Sequence, residues 1–393
     1  MSHPVPNNPI APIPQAERLQ ILDALRGFAV FGILAVNIGG FAAPALFPGY
    51  IPAKPAGSDE LAEILMLFLA EGKFYTIFSF LFGLGFSVQM TRAEAKGKDL
   101  RSFYPRRLLV LFALGVLHAV IFWLGDILRL YAMLGFLLLA FRKRSDKTLL
   151  AYAGIFLVIG FILLAIIGGP HLGGEKIPGL DILAMARQAY RGDSFSSVVA
   201  FQFFGAFFSF LAIAFTQSGT VMALFLLGLL AGRMKLFEQM NERRSFFTKV
   251  IQWGLPVGLI FNALFILTEA PWLSSLGFTI GAPAFAAVYI SGLALLSLRP
   301  FGAKLLAPVA KVGRMALTNY VLQSVVCSLL FNGYGFGLYE SVGAARLWGF
   351  TFAIYLCQIP LSVWWLSRFQ FGPLEWLWRS LTYGKRQPFL IDK

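Results

Sequence analysis

The sequence predicts an all-α protein, a polytopic bundle of about ten membrane-spanning helices with both termini on the cytoplasmic side. Three observations carry this. Charged residues make up 13% of the chain and hydrophobic residues 58%, with a mean hydropathy of +0.73, whereas soluble domains carry roughly 25% charged residues. Apolar runs near the ~20-residue length of a spanning helix recur from Ile21 to Leu366. Basic residues gather in the short connectors between these runs. Internal glycines and the lack of strict alternation favour helices over the strands of a barrel.

The spans are expected near residues 21–42, 61–90, 108–124, 127–141, 149–167, 198–230, 250–267, 278–298, 315–336 and 348–366. The strongest basic loops are 92–107, 142–147, 233–244 and 299–314, and the tail adds Arg368, Arg379, Lys385 and Arg386. An even number of crossings between each pair places all of them inside. Residues 198–230 are long for one straight span and short for two, with Thr216–Gly219 at their middle, so an eleventh helix stays open. The connector 171–197 is the longest polar one and is expected to hold a surface helix near residues 181–190.

The organisation expected is a flexible cytoplasmic tail over residues 1–20, a single transmembrane domain over 21–367, and an interfacial helix and tail over 368–393. Pro/Asn-rich residues 1–20 lack the basic-then-apolar pattern of a signal peptide. The stretch GPLEWLWRSLTYGK follows a Gly-Pro break, and its Trp376, Trp378, Arg379 and Tyr383 suit a helix lying in the inner interface.

The net charge of +14, from 33 Lys and Arg against 19 Asp and Glu, would suggest nucleic acid in a soluble protein. Here positive-inside bias accounts for it, and no nucleic-acid partner is expected. Cys327 and Cys357 form neither a metal spacing nor a disulfide framework, and His3, His118 and His171 are scattered. No metal site and no bound cofactor are predicted.

One apolar stretch carries the chemistry. GVLHAVIFWLGDILRLYA, residues 115–132, holds His118, Asp126 and Arg129. Residues 108–141 are too long for one span and have basic residues at both ends, so the chain must go out and return. The turn is placed at Gly125-Asp126, where Gly permits reversal and Asp suits the N-cap of the returning helix. His118 stands eight residues earlier, about 12 Å along the helix, within the hydrocarbon. Ionisable groups at that depth are functional candidates, with a neutral histidine bonded to a neighbouring helix as the plainer alternative. Arg129 is near enough to the outer interface for snorkelling and is set aside as a candidate.

The other polar residues fall into two layers. Asp23 and Arg26, on one helix face at i,i+3, stand at the inner side with Arg106, Arg107, Asn319, Tyr320, Gln323 and Ser324. Asn37, Glu71 and Lys73 stand toward the outer side. The layers suggest a polar path from a basic inner mouth to an acidic outer pocket, against the alternative that each residue caps or glues helices locally. Candidate binding residues are therefore Asp23, Arg26, Glu71, Lys73, Arg106, Arg107, Tyr131, Asn319 and Gln323. Gly83 and Gly85 in SFLFGLGF offer close helix approach.

The segments ILDALRGFAVFGILAVNIGGF, EGKFYTIFSFLFGLGF, RRLLVLFALGVLHAVIFWLGDILRLYA, GRMALTNYVLQS and FGPLEWLWRSLTYGK, in that order along nearly the whole chain, resemble the YeiB-like family of bacterial membrane proteins. The resemblance implies the cytoplasmic membrane of a bacterium. The first span, with Asp23, Arg26-Gly27 and Asn37, is more remotely similar to that of heparan-alpha-glucosaminide N-acetyltransferase-like proteins. Those enzymes move acyl groups from cytosolic acyl-coenzyme A to a glycan on the far side. That similarity would make Asn37 an active-site residue. Such enzymes place a catalytic His shortly after that Asn, and the residues IGGFAAPALFPGY here contain none, so His118 would have to supply the base.

Two functions follow as expectations. An acyltransferase would use His118 as base or acyl carrier, Asn37 at the oxyanion, and Asp126 or Glu71 to orient the base or bind the acceptor. Arg106, Arg107 and Arg26 would hold the phosphates of an acyl-CoA co-substrate, and a sugar, lipid headgroup or small molecule would be the acceptor. A transporter of a small polar or amphipathic solute would use the same layers as gates and His118 for proton coupling. Membrane lipid is an expected partner, and a homodimer is compatible with the pattern.

Overall fold

The computed structural model describes residues 19–391 except 48–49, 52–53, 98 and 168–180. His3, His171 and most of the expected N-terminal tail lie outside the described residues. Backbone polar groups within hydrocarbon must pair internally, and the described chain does so with fourteen α-helices. These are α1 (Gln20–Ala42), α2 (Ser58–Leu69), α3 (Lys73–Ala95), α4 (Tyr104–Ile121), α5 (Leu128–Phe141), α6 (Asp146–Ile166) and α7 (Ile182–Arg191). Then follow α8 (Phe195–Arg233), α9 (Arg244–Leu267), α10 (Pro271–Ser297), α11 (Pro300–Arg314), α12 (Ala316–Phe331), α13 (Ala344–Leu366) and α14 (Pro373–Tyr383).

Among the described residues, eight helical stretches are long and apolar enough to cross a bilayer, with Ser58–Ala95 counted as one. The bent pair of α11 and α12 makes nine. The short α5 forms a hairpin with α4. These stretches occupy the positions of the ten expected from sequence, except that α5 is shorter than a candidate span, and three further points differ.

The stretch 299–314, read from sequence as a basic loop, is the helix α11. Its apolar side, with Leu306 and Ala310 buried, rests on α1, and Gly27 and Gly313 make the approach possible. A Cβ at either glycine would collide with the other helix's backbone. The span expected at 315–336 is consequently short, the 16 residues of α12, entered through a 76° bend from α11. The span at 61–90 is interrupted at Ala70–Gly72, where Gly72 has φ +81°. Residues 198–230 follow the expectation of a single span. They belong to one uninterrupted helix of 39 residues, about 58 Å long, with no turn that would divide it into two spans. Thr216 stays helical by donating its hydroxyl to the Ala212 carbonyl, and Gly219 lies against the backbone of Gly160 on α6.

α1 is the axis of the bundle, touching α3, α10, α11, α12 and α13. Gly83 of α3 meets the Phe225 backbone of α8, as the sequence suggested. Gly85 does not serve a close approach: nothing stands within 4 Å of its would-be side chain, and it faces a cavity. α7 starts with Asp181 accepting from the Ala184 N–H, as expected for the surface helix. α14 forms where GPLEWLWRSLTYGK predicts it and ends at Gly384 with φ +65°. Its buried Glu375 accepts from the N–H groups of Leu317 and Thr318 and from the Thr318 hydroxyl. A remote carboxylate thus caps the free N-terminus of α12.

Candidate functional site

The site is built at the hairpin of α4 and α5. α4 ends just beyond His118, whose carbonyl accepts from the N–H groups of Phe122 and Trp123. Gly125 follows, but its φ is not positive. The requirement there is room, since a Cβ would lie 2.6 Å from the Trp123 indole nitrogen. Asp126 then accepts from the Arg129 N–H at 3.1 Å, but from one position before the N-cap of α5, which is Ile127 and not Asp126 as expected. Gly115, one turn before His118, lets the two arms close. A Cβ there would lie 2.8 Å from Asp126 Oδ1 and 2.9 Å from the Arg129 nitrogen.

This packing buries three ionisable groups. Asp126 is 0% exposed, and His118 and Arg129 are 3% exposed. His118 Nδ1 lies 2.8 Å from Asp126 Oδ2, and its Nε2 lies 2.9 Å from Ser324 Oγ on α12. A carboxylate only accepts, so Nδ1 carries a proton toward Asp126, and in the neutral ring Nε2 then accepts from Ser324, whose hydroxyl also lies 3.3 Å from the Tyr320 carbonyl. The result is a Ser-His-Asp chain, a constellation recognised by geometry rather than by chain order.

Arg129 does not snorkel. Its guanidinium donates to the Ala206 and Leu124 carbonyls and to Ser209, and its Nε stands 3.4 Å from Asp126. A buried carboxylate requires such a compensating cation.

A cavity of about 410 Å³ opens at the end where the basic segments gather, within the ~300–1,000 Å³ range of small-molecule sites. Arg26, Arg92, Lys96, Arg107, Arg314 and Arg379 line it, with Asp23, Glu238 and Glu375. Its depth is apolar, with Val30, Ile33, Phe78, Leu81, Phe82, Leu111, Ile127 and Leu128, and reaches Tyr131 and Tyr320. Asp23 and Arg26 form the pair expected from their spacing, at 2.7 Å. The Tyr320 ring lines the cavity and lies 4.8 Å from the His118 ring, so this side chain borders both the cavity and the Ser-His-Asp chain. Its hydroxyl approaches the Ile127 backbone but forms no well-aligned hydrogen bond.

The other sequence-derived candidates divide. Arg107 lines the cavity, stacked 3.7 Å from the Trp378 ring. Arg106 is exposed and points at Gly384 instead. Tyr131 lines the cavity, bonded through its hydroxyl to Ser79 and the Tyr75 carbonyl. Asn319 and Gln323 are spent between helices: Asn319 donates to Val312 and Ser362, and Gln323 to Val30 and Gln358. Lys73 is 0% exposed and donates to the Leu67 carbonyl, closing the α2–α3 turn beside Glu71, at the end of α3 away from the basic mouth. Asn37 makes no hydrogen bond to His118, Asp126 or Ser324. It shares a face of α1 with Val30 and Ile33, which line the cavity, one turn farther along.

Sequence reasoning did not single out Ser324 as the partner of His118, nor Arg92 and Lys96 as cavity residues. For the latter a signal existed. Gly85, Val88, Gln89, Arg92 and Lys96 recur at helical spacing, and all five line the cavity, as one face of a helix should. For Ser324 there was none, because it meets His118 across 206 residues.

Comparison with known proteins identifies the chain's relatives. A family model described as a protein of unknown function, DUF418, matches residues 231–385. The chain is 34% identical to "Uncharacterized protein YxaH" of Bacillus subtilis (strain 168), over 95% of this chain and 96% of that one. It is 32% identical to an "Uncharacterized 39.9 kDa protein in amylase 3'region" of Bacillus acidopullulyticus, over 97% and 99%. It is 30% identical to "Uncharacterized protein YeiB" of Escherichia coli (strain K12), over 95% and 98%. With near-complete coverage of each relative and an all-helical, membrane-spanning architecture, the chain belongs to the YeiB-like family of multi-pass membrane proteins.

Proposed function

We propose that the protein is an acyltransferase of the bacterial cytoplasmic membrane, taking an acyl group from cytosolic acyl-CoA for an acceptor reached from the opposite side. The observation that carries this reading is the polarity of the cavity, cationic at its mouth and apolar at its depth, where Tyr320 borders both it and His118. That profile matches a donor with anionic phosphates at one end and an acyl chain at the other. Arg26, Arg92, Arg107, Arg314 and Arg379 would meet the phosphates, with guanidinium geometry suited to them. Phe78, Leu81, Phe82, Leu111 and Ile127 would surround the chain. Positive-inside bias supports a cytosolic position for this mouth, the side on which acyl-CoA is made. His118, its tautomer set by Asp126, would act as general base. The acceptor is a hydroxyl- or amino-bearing sugar, lipid headgroup or small molecule.

The test is thermal unfolding of the purified protein in detergent with acetyl-CoA, decanoyl-CoA, CoA or decanoate. A ligand that binds the folded state raises the melting temperature with its concentration. The acyl-CoAs should protect more than CoA or the free acid, because they fill both halves of the cavity. Equal melting temperatures with and without every acyl-CoA would refute the reading. Proton-coupled solute uptake by vesicles carrying the protein, without acyl-CoA protection, would put a transporter in its place.

A further inference from the structure

The role of Ser324 is left open by a reading in which His118 works as a base alone. Ser324 stands mid-way along α12, eight residues after Ala316 and seven before Phe331. Its hydroxyl is buried and lies 2.9 Å from His118 Nε2, closer than the 3.3 Å to the Tyr320 carbonyl. The other face of the imidazole is fixed by Asp126 at 2.8 Å. A serine hydroxyl that gives its hydrogen bond to an imidazole oriented in this way is an activated nucleophile. Tyr320, one helical turn before Ser324 on the same face, borders the cavity, and its hydroxyl has no well-aligned partner.

We propose that Ser324 is the covalent acyl carrier of a two-step transfer; this rests on the acyltransferase reading above. In the first step Ser324 Oγ attacks the thioester carbonyl carbon. The Oγ–C bond forms and the C–S bond breaks. The hydroxyl proton passes to His118 Nε2 and then to the departing sulfur, releasing CoA as the free thiol. In the second step the acceptor hydroxyl or amine gives its proton to Nε2 and bonds to the acyl carbon. The C–Oγ bond breaks, and the proton returns to Ser324. The Tyr320 hydroxyl supplies a donor for the carbonyl oxygen as charge develops on it. A carrier at mid-helix explains why the donor cavity and an acceptor from the other side need not be occupied together. Ser324 is then a catalytic residue, and Asp126 a positioning residue acting through His118.

The experiment uses the full-length purified protein, incubated with acetyl-CoA or decanoyl-CoA and no acceptor, then followed by free-thiol release and peptide mass mapping. The expected result is a burst of up to one equivalent of CoA thiol and one acyl group on the peptide containing Ser324. Ser324→Ala should abolish the adduct yet keep the heat protection by donor. Ser324→Cys should restore an adduct, now a thioester that neutral hydroxylamine removes while the wild-type ester resists it. A structural role for the serine would not produce that exchange of sensitivities. His118→Ala should slow adduct formation by about 100-fold or more with donor protection retained. Acyl-CoA protection with an adduct on another residue, or with Ser324→Ala transferring at the wild-type rate, overturns the carrier and leaves the acyltransferase reading standing. Absence of protection by any acyl-CoA overturns both.

Discussion

His118 Nδ1 lies 2.8 Å from Asp126 Oδ2, across the turn between α4 and α5, with both side chains sealed from solvent. A histidine and an aspartate eight residues apart would be two turns away from each other on one helix. They meet because the chain reverses between them and because Gly115 offers no side chain to hold the arms apart. The pair fixes which imidazole nitrogen carries the proton, and so which one faces Ser324.

Asp126→Asn tests that assignment. An amide can turn its NH₂ toward Nδ1, which moves the imidazole proton to Nε2 and removes the acceptor from Ser324. Acyl transfer should fall by about 10²–10⁴-fold, as expected when the tautomer is wrong, with donor heat protection retained. The variant also deprives buried Arg129 of its anion, a loss of about 3–5 kcal/mol for a broken buried pair, so its melting temperature should drop. Transfer at the wild-type rate would refute the role of Asp126.

Gly115→Ala should separate the hairpin arms. Its Cβ would press on Asp126 Oδ1 and the Arg129 backbone at 2.8 and 2.9 Å, an overpacking cost of about 1–3 kcal/mol. Gly154→Ala on α6 is the control, since nothing lies within 4 Å of that position and alanine is favoured over glycine in a helix by about 1 kcal/mol. Melting of the two variants side by side decides. Equal stabilities would mean that the hairpin tolerates a side chain at residue 115.

How much of this was legible in the sequence follows from the range of each interaction. The spans were, because apolar length and basic loops are local. His118 and Asp126 were singled out because ionisable groups in an apolar run stand out one by one. The partner Ser324 was hidden, since one serine in a helix carries no mark of what it faces. Arg129 was set aside because snorkelling is the default for an arginine near a helix end, and only the fold shows that Ala206 and Ser209 of α8 receive it. α11 read as a loop because its lysines and arginines looked like a connector. Its buried Gly302, Leu306, Ala310 and Gly313 follow a helical stripe that the charge pattern masked. Asn319 and Gln323 looked available to a substrate for the same reason that Ser324 did not look special: their partners lie on α1, α11 and α13.

Arg107 and Arg106 are neighbours with different surroundings, and donor binding should separate them. Arg107→Ala removes a guanidinium that lines the cavity and stacks on Trp378. It should weaken acyl-CoA binding about tenfold or more, and more at low salt than at high salt, because screening already weakens the charge interaction in salt. Arg106→Ala, exposed beside Gly384, should leave affinity within about twofold. Equal losses for the two variants, or no salt dependence for Arg107→Ala, would remove Arg107 from the phosphate site.

Glu340 sets a pH dependence at the end of the bundle opposite the basic mouth. Its carboxylate is forked by Arg187 at 2.9 Å and met by Arg191 at 2.7 Å, both from α7. Its own N–H donates to the Ala42 carbonyl at the end of α1 at 2.7 Å, which holds it at φ +56°. The hydrogen bonds from Arg187 are the largest cause keeping its carboxyl below the usual 4.5, against a smaller opposing effect of burial. An acid with a lowered folded pKa stabilises the protein above its unfolded value, and that contribution disappears as pH falls through the folded value. Both arginines are about half exposed, so screening limits the effect to about 1 kcal/mol. Wild-type protein should therefore melt above Glu340→Gln near neutral pH. The gap should close as the pH falls below 4.5 toward the folded value, and should narrow in high salt at neutral pH. A gap that stays constant down to about pH 3 would show that α7 is held by its packing and not by this carboxylate.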